Sequence, residues 1–416
     1  MLVDLLLPDV VFTQQIQSFA DLLAVWTYFE QPNNLPRIGI EYEQITYPYQ
    51  QQSCVVPYGV HIGLHRYLLK LADRLSLYPE YDNGHLVALV DANKTTVISL
   101  EPGGQIEFSS RPHTRLALLA QELNTYVAAM TDVAKSLGID LSVLPFNDKR
   151  RACAVPVVPK ARYQWMQQYW PQRAQDGLNM MINTASVQVN LDFKNQAHAS
   201  QLIRVAYRLS PYLSALFGRS AKTSTGPVLQ RYHVWQSVDP NRCGLPAFMA
   251  HTNAIYHDYT KWALQVPVFG IMRQQHFIPI GHLSFESFID QGFAGHRACL
   301  QDWVMHLGTL YPEIRLKKTI ELRGADTGSV EHVLWVAAVW HGLLNDLNTL
   351  HRIEDSFPCP SDMQALQKAV AQHGLKAHDQ DGPIIDKCQW ILKQAQKGLA
   401  ALGEYAVSLE RSLILN

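Results

Sequence analysis

Six cysteines, at 54, 153, 243, 299, 359 and 388, are spread so that no two form a CxxC pair, which removes the zinc ribbon and the thioredoxin-like redox site from consideration. So few in 416 residues make no disulfide framework, and the expectation is reduced thiols in a cytoplasmic protein. The phosphate loop GxxxxGK[ST] is missing, as are a GxGxxG following a strand, HExxH and GxSxG. A nucleotide, if used, is therefore held by some other device. The opening MLVDLLLPDVVF has no early Lys or Arg and no small-residue cleavage site, so no signal peptide is expected. The longest apolar run, Val333 to Leu344, falls short of the roughly 20 residues a spanning helix needs. Charge of one sign is also lacking: 35 Lys and Arg stand against 36 Asp and Glu, a net charge of −1. Neither nucleic acid nor a membrane is implied as a partner, and the oligomeric state stays open.

What is present is an ordinary globular composition, 47% hydrophobic and 17% charged, enough to bury a large core. Breaks along the chain are modest, so residues 1–416 read as one large domain whose last part, 351–416, is helical. Helical spacing marks His61 to Ser76, and Arg115 to Leu137 with Gly138 as its stop. It marks Ala199 to Phe217, interrupted at Pro211, and Ser329 to Leu350, with Trp335 and Trp340 expected in the core. A capping box at Ser361 and Gln364 opens another helix, and Ile384 to Leu413 reads as a last one. Short strand-like runs lie between without regular alternation, so the fold class is α+β.

Four of those runs share a design. In IGIEYEQI, Ile38, Ile40 and Tyr42 alternate with Glu41 and Glu43, and a strand puts alternate residues on opposite faces. QIEFSS sets Ile106 and Phe108 against Gln105, Glu107 and Ser109. ASVQVNLDF sets Val187, Val189, Leu191 and Phe193 against Ser186, Gln188, Asn190 and Asp192. TIELRG sets Ile320 and Leu322 against Thr319, Glu321 and Arg323. Any one of these is an ordinary half-exposed strand. Together they form a polar face rich in Glu, Gln and Asn, where paired carboxylates repel unless a cation lies between them. Mg²⁺ is a cation of that kind, bound by carboxylate oxygens together with substrate phosphates. Pro102-Gly103-Gly104 must bend the chain tightly between Glu101 and Glu107, where glycine lets the backbone approach a ligand.

These segments resemble the plant-type glutamate–cysteine ligases, a family of plants and many bacteria. The resemblance runs from about residue 36 to 346. It rests on GIEYE at 39–43, LEPGGQIEFSS at 100–110, PKARY at 159–163 and MMINTASVQVNLDF at 180–193. RYHVWQSVDPNRCGLP at 231–246, YTKWALQVPVF at 259–269, DWVMHLGTLYPEIRLKKTIELRGAD at 302–326 and WHGLLND at 340–346 follow in order. The resemblance implies a glutamine synthetase-like catalytic fold, a curved and mainly antiparallel sheet cradle with helices on its outer face. It implies an ATP- and Mg²⁺-dependent ligase that activates glutamate as γ-glutamyl phosphate and joins it to the amine of cysteine, the first step of glutathione or related thiol synthesis. The alternative is a γ-glutamyl ligase of the same fold with another acceptor amine.

Position by position, the resemblance makes Glu41, Glu43, Glu101, Glu107 and Glu321 metal ligands, and places Arg323 against the transferring phosphate as the catalytic arginine. Gln188 and Asn190 become metal or substrate ligands. Arg231 and Arg242 become candidates for the carboxylates of glutamate, and Lys160 and Arg162 for the nucleotide phosphates. VPVFGIMR, with Phe269 and Gly270, replaces a tyrosine-rich family segment and so bears on the substrate wall.

Overall fold

The computed structural model describes residues 13–33, 35–59, 61, 63–219, 227–404 and 409. Among them the largest sheet has eight strands: β1 (Ile38–Gln44), β2 (Tyr78–Asp82), β3 (His85–Val90), β4 (Val97–Leu100), β5 (Ile106–Ser109), β6 (Ser186–Leu191), β7 (Ile314–Leu316) and β8 (Ile320–Asp326). Their spatial order is β7-β8-β6-β1-β5-β4-β3-β2, with every neighbouring pair antiparallel. The alternation read from the sequence decides which face turns inward. Ile38, Ile40, Tyr42, Ile106, Phe108, Val187, Val189, Leu191, Ile320 and Leu322 are each no more than 1% exposed. At roughly 1.5–3 kcal/mol for each large apolar side chain buried, one-residue slippage of any strand is strongly disfavoured.

Helices cover that apolar face. α1 (Leu64–Leu75) packs on β3, α3 (Gln196–Phe217) on β8, and α4 (Val330–Leu344) on β6 and β1. α2 (Leu116–Ser136) lies against α1 and α4, and α5 (Ile384–Ala401) packs behind α4 as a second layer. The α4–α5 crossing depends on glycine. A Cβ on Gly398 would sit 1.8 Å from the Gly342 carbonyl oxygen, and one on Gly342 would sit 2.2 Å from that of Ala395. The α+β class with an antiparallel sheet and helices on one face therefore holds.

Several helix boundaries differ from the expectations. α3 begins after Asn195, whose side chain caps the His198 amide, and runs through Pro211 without a break. The segment expected as one helix from 329 to 350 is two, because Asp346 caps a new helix, Leu347–Ser356. Trp340 is core as expected, while Trp335 is only partly buried, edge-on to Phe217. The cap before Met363–His373 is Asp362, not Ser361. α5 stops at Ala401, and the end of the helix expected to 413 falls largely outside the described residues.

Candidate active site

Register assembles the polar face. Glu41 on β1 stands opposite Gln188 on β6 and Ser109 on β5, and Glu43 stands directly opposite Glu107. On the far side Asn190 stands opposite Glu321 of β8. Glu41, Glu43, Glu107, Gln188 and Asn190 thus come from three adjacent strands to line one cavity of about 550 Å³. Glu101 joins them from the PGG bend. That bend is set from below: Gln105 accepts from the Gly103 amide at 2.8 Å and donates to the carbonyls of Met181 and Thr184 at 3.3 and 3.0 Å. Gly104 takes the left-handed backbone at φ +81°, and a Cβ on Gly103 would meet the Ile182 carbonyl oxygen at 2.4 Å.

The carboxylates are held in different ways. Glu43 accepts from the Ser186 amide and hydroxyl at 2.6 and 2.9 Å and from Gln188 at 3.2 Å. Burial and the charge of Glu101 still raise its pKa, against the pull of Arg231 and Arg323. Among the described residues Glu107 accepts from the hydroxyls of Ser99 and Ser109, each at 3.4 Å, and burial followed by Glu101, Glu41 and Glu43 pushes it well above the ordinary carboxylate range. Asn190 donates to Glu41 at 3.1 Å and the Tyr163 hydroxyl donates to Glu101 at 3.1 Å. Carboxylates packed this closely repel one another, and burial sharpens the repulsion.

Arg323 is aimed by a bulge. Leu322 pairs with Val189 and Ala325 with Val187, so Arg323 and Gly324 together oppose Gln188. An extra residue at that point re-aims a side chain. The guanidinium donates to Gln188 and Glu321 and lies over the rings of Trp235 and Tyr311, at 5.7 and 5.8 Å from their centroids. Glu321 differs from its expected role. It is fully buried, does not line the cavity, and binds Arg315 at 2.7 Å, Lys317 at 3.6 Å and Arg323. Burial alone would raise its pKa, but Arg315 first, then Lys317 and Arg323, bring it down to about 2. In this arrangement Glu321 is the counter-ion that fixes two arginines.

Arg231, Arg242 and Lys160 are also buried. Arg242 has no exposed surface. It stacks on Phe269 at 3.8 Å and donates to the carbonyls of Thr309 and Pro267, so in this structure it braces loops. Phe269 is itself core, which takes it out of the substrate wall. Arg231 lies behind the cavity, bonded to Asp326 at 3.4 Å and to the Arg323 carbonyl at 2.8 Å. It acts on Glu43 by charge alone. Lys160 spends its ammonium on the Leu100 carbonyl at 2.7 Å and on the Tyr163 ring. Lys160 and Arg162 line a second cavity of about 400 Å³, walled by Met272, Phe277, Met305 and Leu307. Tyr81 to Asn83 on one side and Lys317 and Lys318 on the other bring both edges of the sheet to that cavity.

Sequence reasoning missed the cations that do line the main cavity, Arg37, Lys94, Arg315, Lys317 and Lys318. Adjacency was the available signal for three of them: Arg37 precedes IGIEYEQI, and the KK pair precedes TIELRG. Met166, Met180, Met181, Trp235 and Tyr311 were likewise passed over; they form the apolar wall at the opposite end.

The fit to Mg²⁺ follows from the donor set. Among the described residues no three acidic, imidazole or thiol groups stand close enough to hold a metal ion alone. Mg²⁺ at phosphoryl-transfer sites takes one or two carboxylates and completes its octahedron with phosphate and water, and the repelling pair Glu43 and Glu107 with Glu41 and Glu101 beside it suits that demand.

Fold and site together define an α+β protein with a carboxylate-lined cradle that is cationic at one end. The chain belongs to glutamate–cysteine ligase family 2, which it matches over residues 37–396. It is 33% identical over 341 residues to the chloroplastic glutamate–cysteine ligase of Nicotiana tabacum, covering 80% of this chain and 65% of that one. It is 30% identical over 401 residues to glutamate–cysteine ligase B of Oryza sativa subsp. japonica, covering 94% and 80%. The chain thus spans just under two thirds of the tobacco protein's length. A solved glutamate–cysteine ligase of Francisella tularensis, in complex with AMP, aligns with 90% of this chain and 82% of its own at 13% identity, with a TM-score of 0.48.

Proposed function

We propose that this chain is an ATP-dependent ligase that joins the γ-carboxylate of glutamate to the amine of cysteine, the first step of glutathione or related thiol synthesis, in the cytoplasm. The observation that carries the reading is the placement of Glu41, Glu43, Glu101 and Glu107 on one concave face with Arg323 aimed across it. Family membership and the named relatives support the same activity.

Phosphoryl transfer between two anions is mainly a problem of position and charge. Mg²⁺ held through Glu41, Glu43, Glu101 and Glu107 would supply the neutralisation that lets a carboxylate approach the γ-phosphate. The protein does the rest. Glu321 and Gln188 hold Arg323 in one orientation before substrate arrives, so a fixed positive charge faces the transferring group without reorganisation. Register places Arg37, Lys94, Lys317 and Lys318 at one end of the strands, which fits the phosphate chain there. The second cavity, sharing Lys317 and Lys318, fits the base. The methionine and aromatic wall at the other end fits the amino acids and excludes water from an acyl phosphate prone to hydrolysis.

The test is ADP release with ATP, Mg²⁺ and glutamate, with cysteine compared against other small amines. The expected result is strong stimulation by cysteine. Stimulation by a different amine alone would replace cysteine by that acceptor, and no glutamate-dependent ADP with any amine would overturn the ligase reading.

A further inference from the structure

We propose that the turn from Asp91 to Thr96 is a preformed phosphate grip in which Lys94 takes the nucleotide's polyphosphate, an inference that rests on the ATP-dependent reading above. Lys94 sits in the left-handed region, φ +54°, between β3 and β4. The turn closes with the Lys94 amide on the Asp91 carbonyl at 2.9 Å and the Asp91 amide on the Thr96 carbonyl at 3.1 Å. Glycine fits such a position without strain, and a bulky side chain persists there when its surroundings or its task hold it.

The turn is built to be stiff. One Asp91 oxygen accepts from the amides of Thr95 and Thr96 at 2.6 and 3.0 Å, and the other accepts from the Thr95 hydroxyl at 3.0 Å. Thr96 anchors the base of the turn through its hydroxyl on Glu122 at 2.6 Å, and Glu122 is held in turn by His113 and by Arg111 at 3.1 Å. This scaffold presents Asn93, Lys94 and Thr95 to the main cavity.

Its location is set by register. Val97, which follows the turn, pairs with Ser109, and Ser109 pairs with Glu41. Lys94 therefore stands at the end of the strands where Arg37 leads into β1 and Lys317 and Lys318 lead into β8. Three separate stretches of chain deliver cations to one end of a cavity whose floor is acidic. The present partner of Lys94 is Glu80 at 2.9 Å, with side chains 45% and 29% exposed. A pair so open to water is weak, and a multiply charged phosphate chain outcompetes it.

The experiment compares wild type with Lys94→Gly, Lys94→Ala and Lys94→Arg for turnover and for equilibrium binding of a non-hydrolysable ATP analogue with Mg²⁺. The expected result is a KM for ATP raised about ten- to hundredfold in the glycine and alanine variants, the loss of one charge-assisted contact. The KM for glutamate stays near wild type, and Lys94→Arg recovers most of the affinity. Lys94→Gly separates function from fold, since it removes the left-handed strain and is expected to melt no earlier than wild type. Wild-type KM for ATP and analogue binding in Lys94→Gly would overturn the grip while leaving the ligase reading intact. A wild-type protein that neither turns over nor binds the analogue would overturn the ligase reading itself.

Discussion

Glu41 and Glu313 are both carboxylates near the bulge strand, and their surroundings give them opposite work. Glu41 lines the cavity among other carboxylates, with Asn190 at 3.1 Å. Glu41→Gln keeps shape and hydrogen-bonding capacity but removes a charge the site is arranged to share. Turnover is expected to drop by about two orders of magnitude or more, as for the loss of an electrostatic stabiliser, with the melting temperature unchanged or raised. Steady-state ADP release and a thermal scan on the same sample check both halves. Glu313 carries no such charge-sharing duty. Its backbone carbonyl accepts from the Arg323 amide at 2.9 Å and its side chain accepts from Gln367 at 2.8 Å. Burial pushes it from 4.5 up to about 7. A raised folded-state pKa means that stability is fully present below about pH 4.5 and is lost as pH rises through 7. The cost of ionising it is on the order of 3 kcal/mol. Glu313→Gln is therefore expected to match wild type in acid and to gain on it steadily between pH 5 and 7, with a plateau above, in denaturant melts at stepped pH. A constant difference across that range would show that Glu313 does not titrate there. Residue type alone did not separate such cases: Arg242 and Arg323 read alike in sequence, and only burial tells a loop brace from a group that faces the cavity.

Strand faces were legible more fully than helix ends, for a reason of period. A period of two over four to seven residues fixes both faces of β1, β5, β6 and β8, and their apolar and polar sets fall as the alternation requires. The bulge at Arg323 was not legible, because two residues opposing one is a property of a pair of strands. Helix ends shifted because Asp346 and Asp362 outbid their neighbours as caps through contacts within a turn. Pro211 is tolerated within α3, which is fixed by near-continuous burial from Leu209 to Phe217. The α4–α5 contact is a sharper case, since nothing in the sequence sets Gly342 and Gly398 apart from other helix glycines. Replacing Gly398 by Ala improves local helix propensity by roughly 1 kcal/mol yet places a methyl 1.8 Å from a backbone oxygen. Backbone cannot rotate aside as a side chain does, so the net change is expected to be a loss of about 1–3 kcal/mol in urea unfolding. Stabilisation by Gly398→Ala would mean the two helices do not approach this closely.

The whole molecule carries a formal charge of −1, so any attraction for a polyanion comes from distribution and not from excess. Lys317 and Lys318 sit where that distribution matters most, at the rim shared by the 550 Å³ cradle and the 400 Å³ apolar cavity. Lys317 is committed to Glu321 at 3.6 Å and nearly buried, while Lys318 is exposed. Reversing the exposed charge with Lys318→Glu leaves the Arg315–Glu321–Arg323 group in place and changes only the field at the rim. A nucleotide that lays its base in the apolar cavity and its phosphates in the cradle must cross that rim. A glutamate that enters from the methionine and aromatic end does not. The expected outcome is a KM for ATP raised about tenfold in low salt, shrinking as ionic strength brings the Debye length toward roughly 8 Å and below, with the KM for glutamate unmoved. An equal rise in both KM values would mean that the substrates share one entrance, and the division of the cradle into a phosphate end and an amino-acid end would then have to be given up.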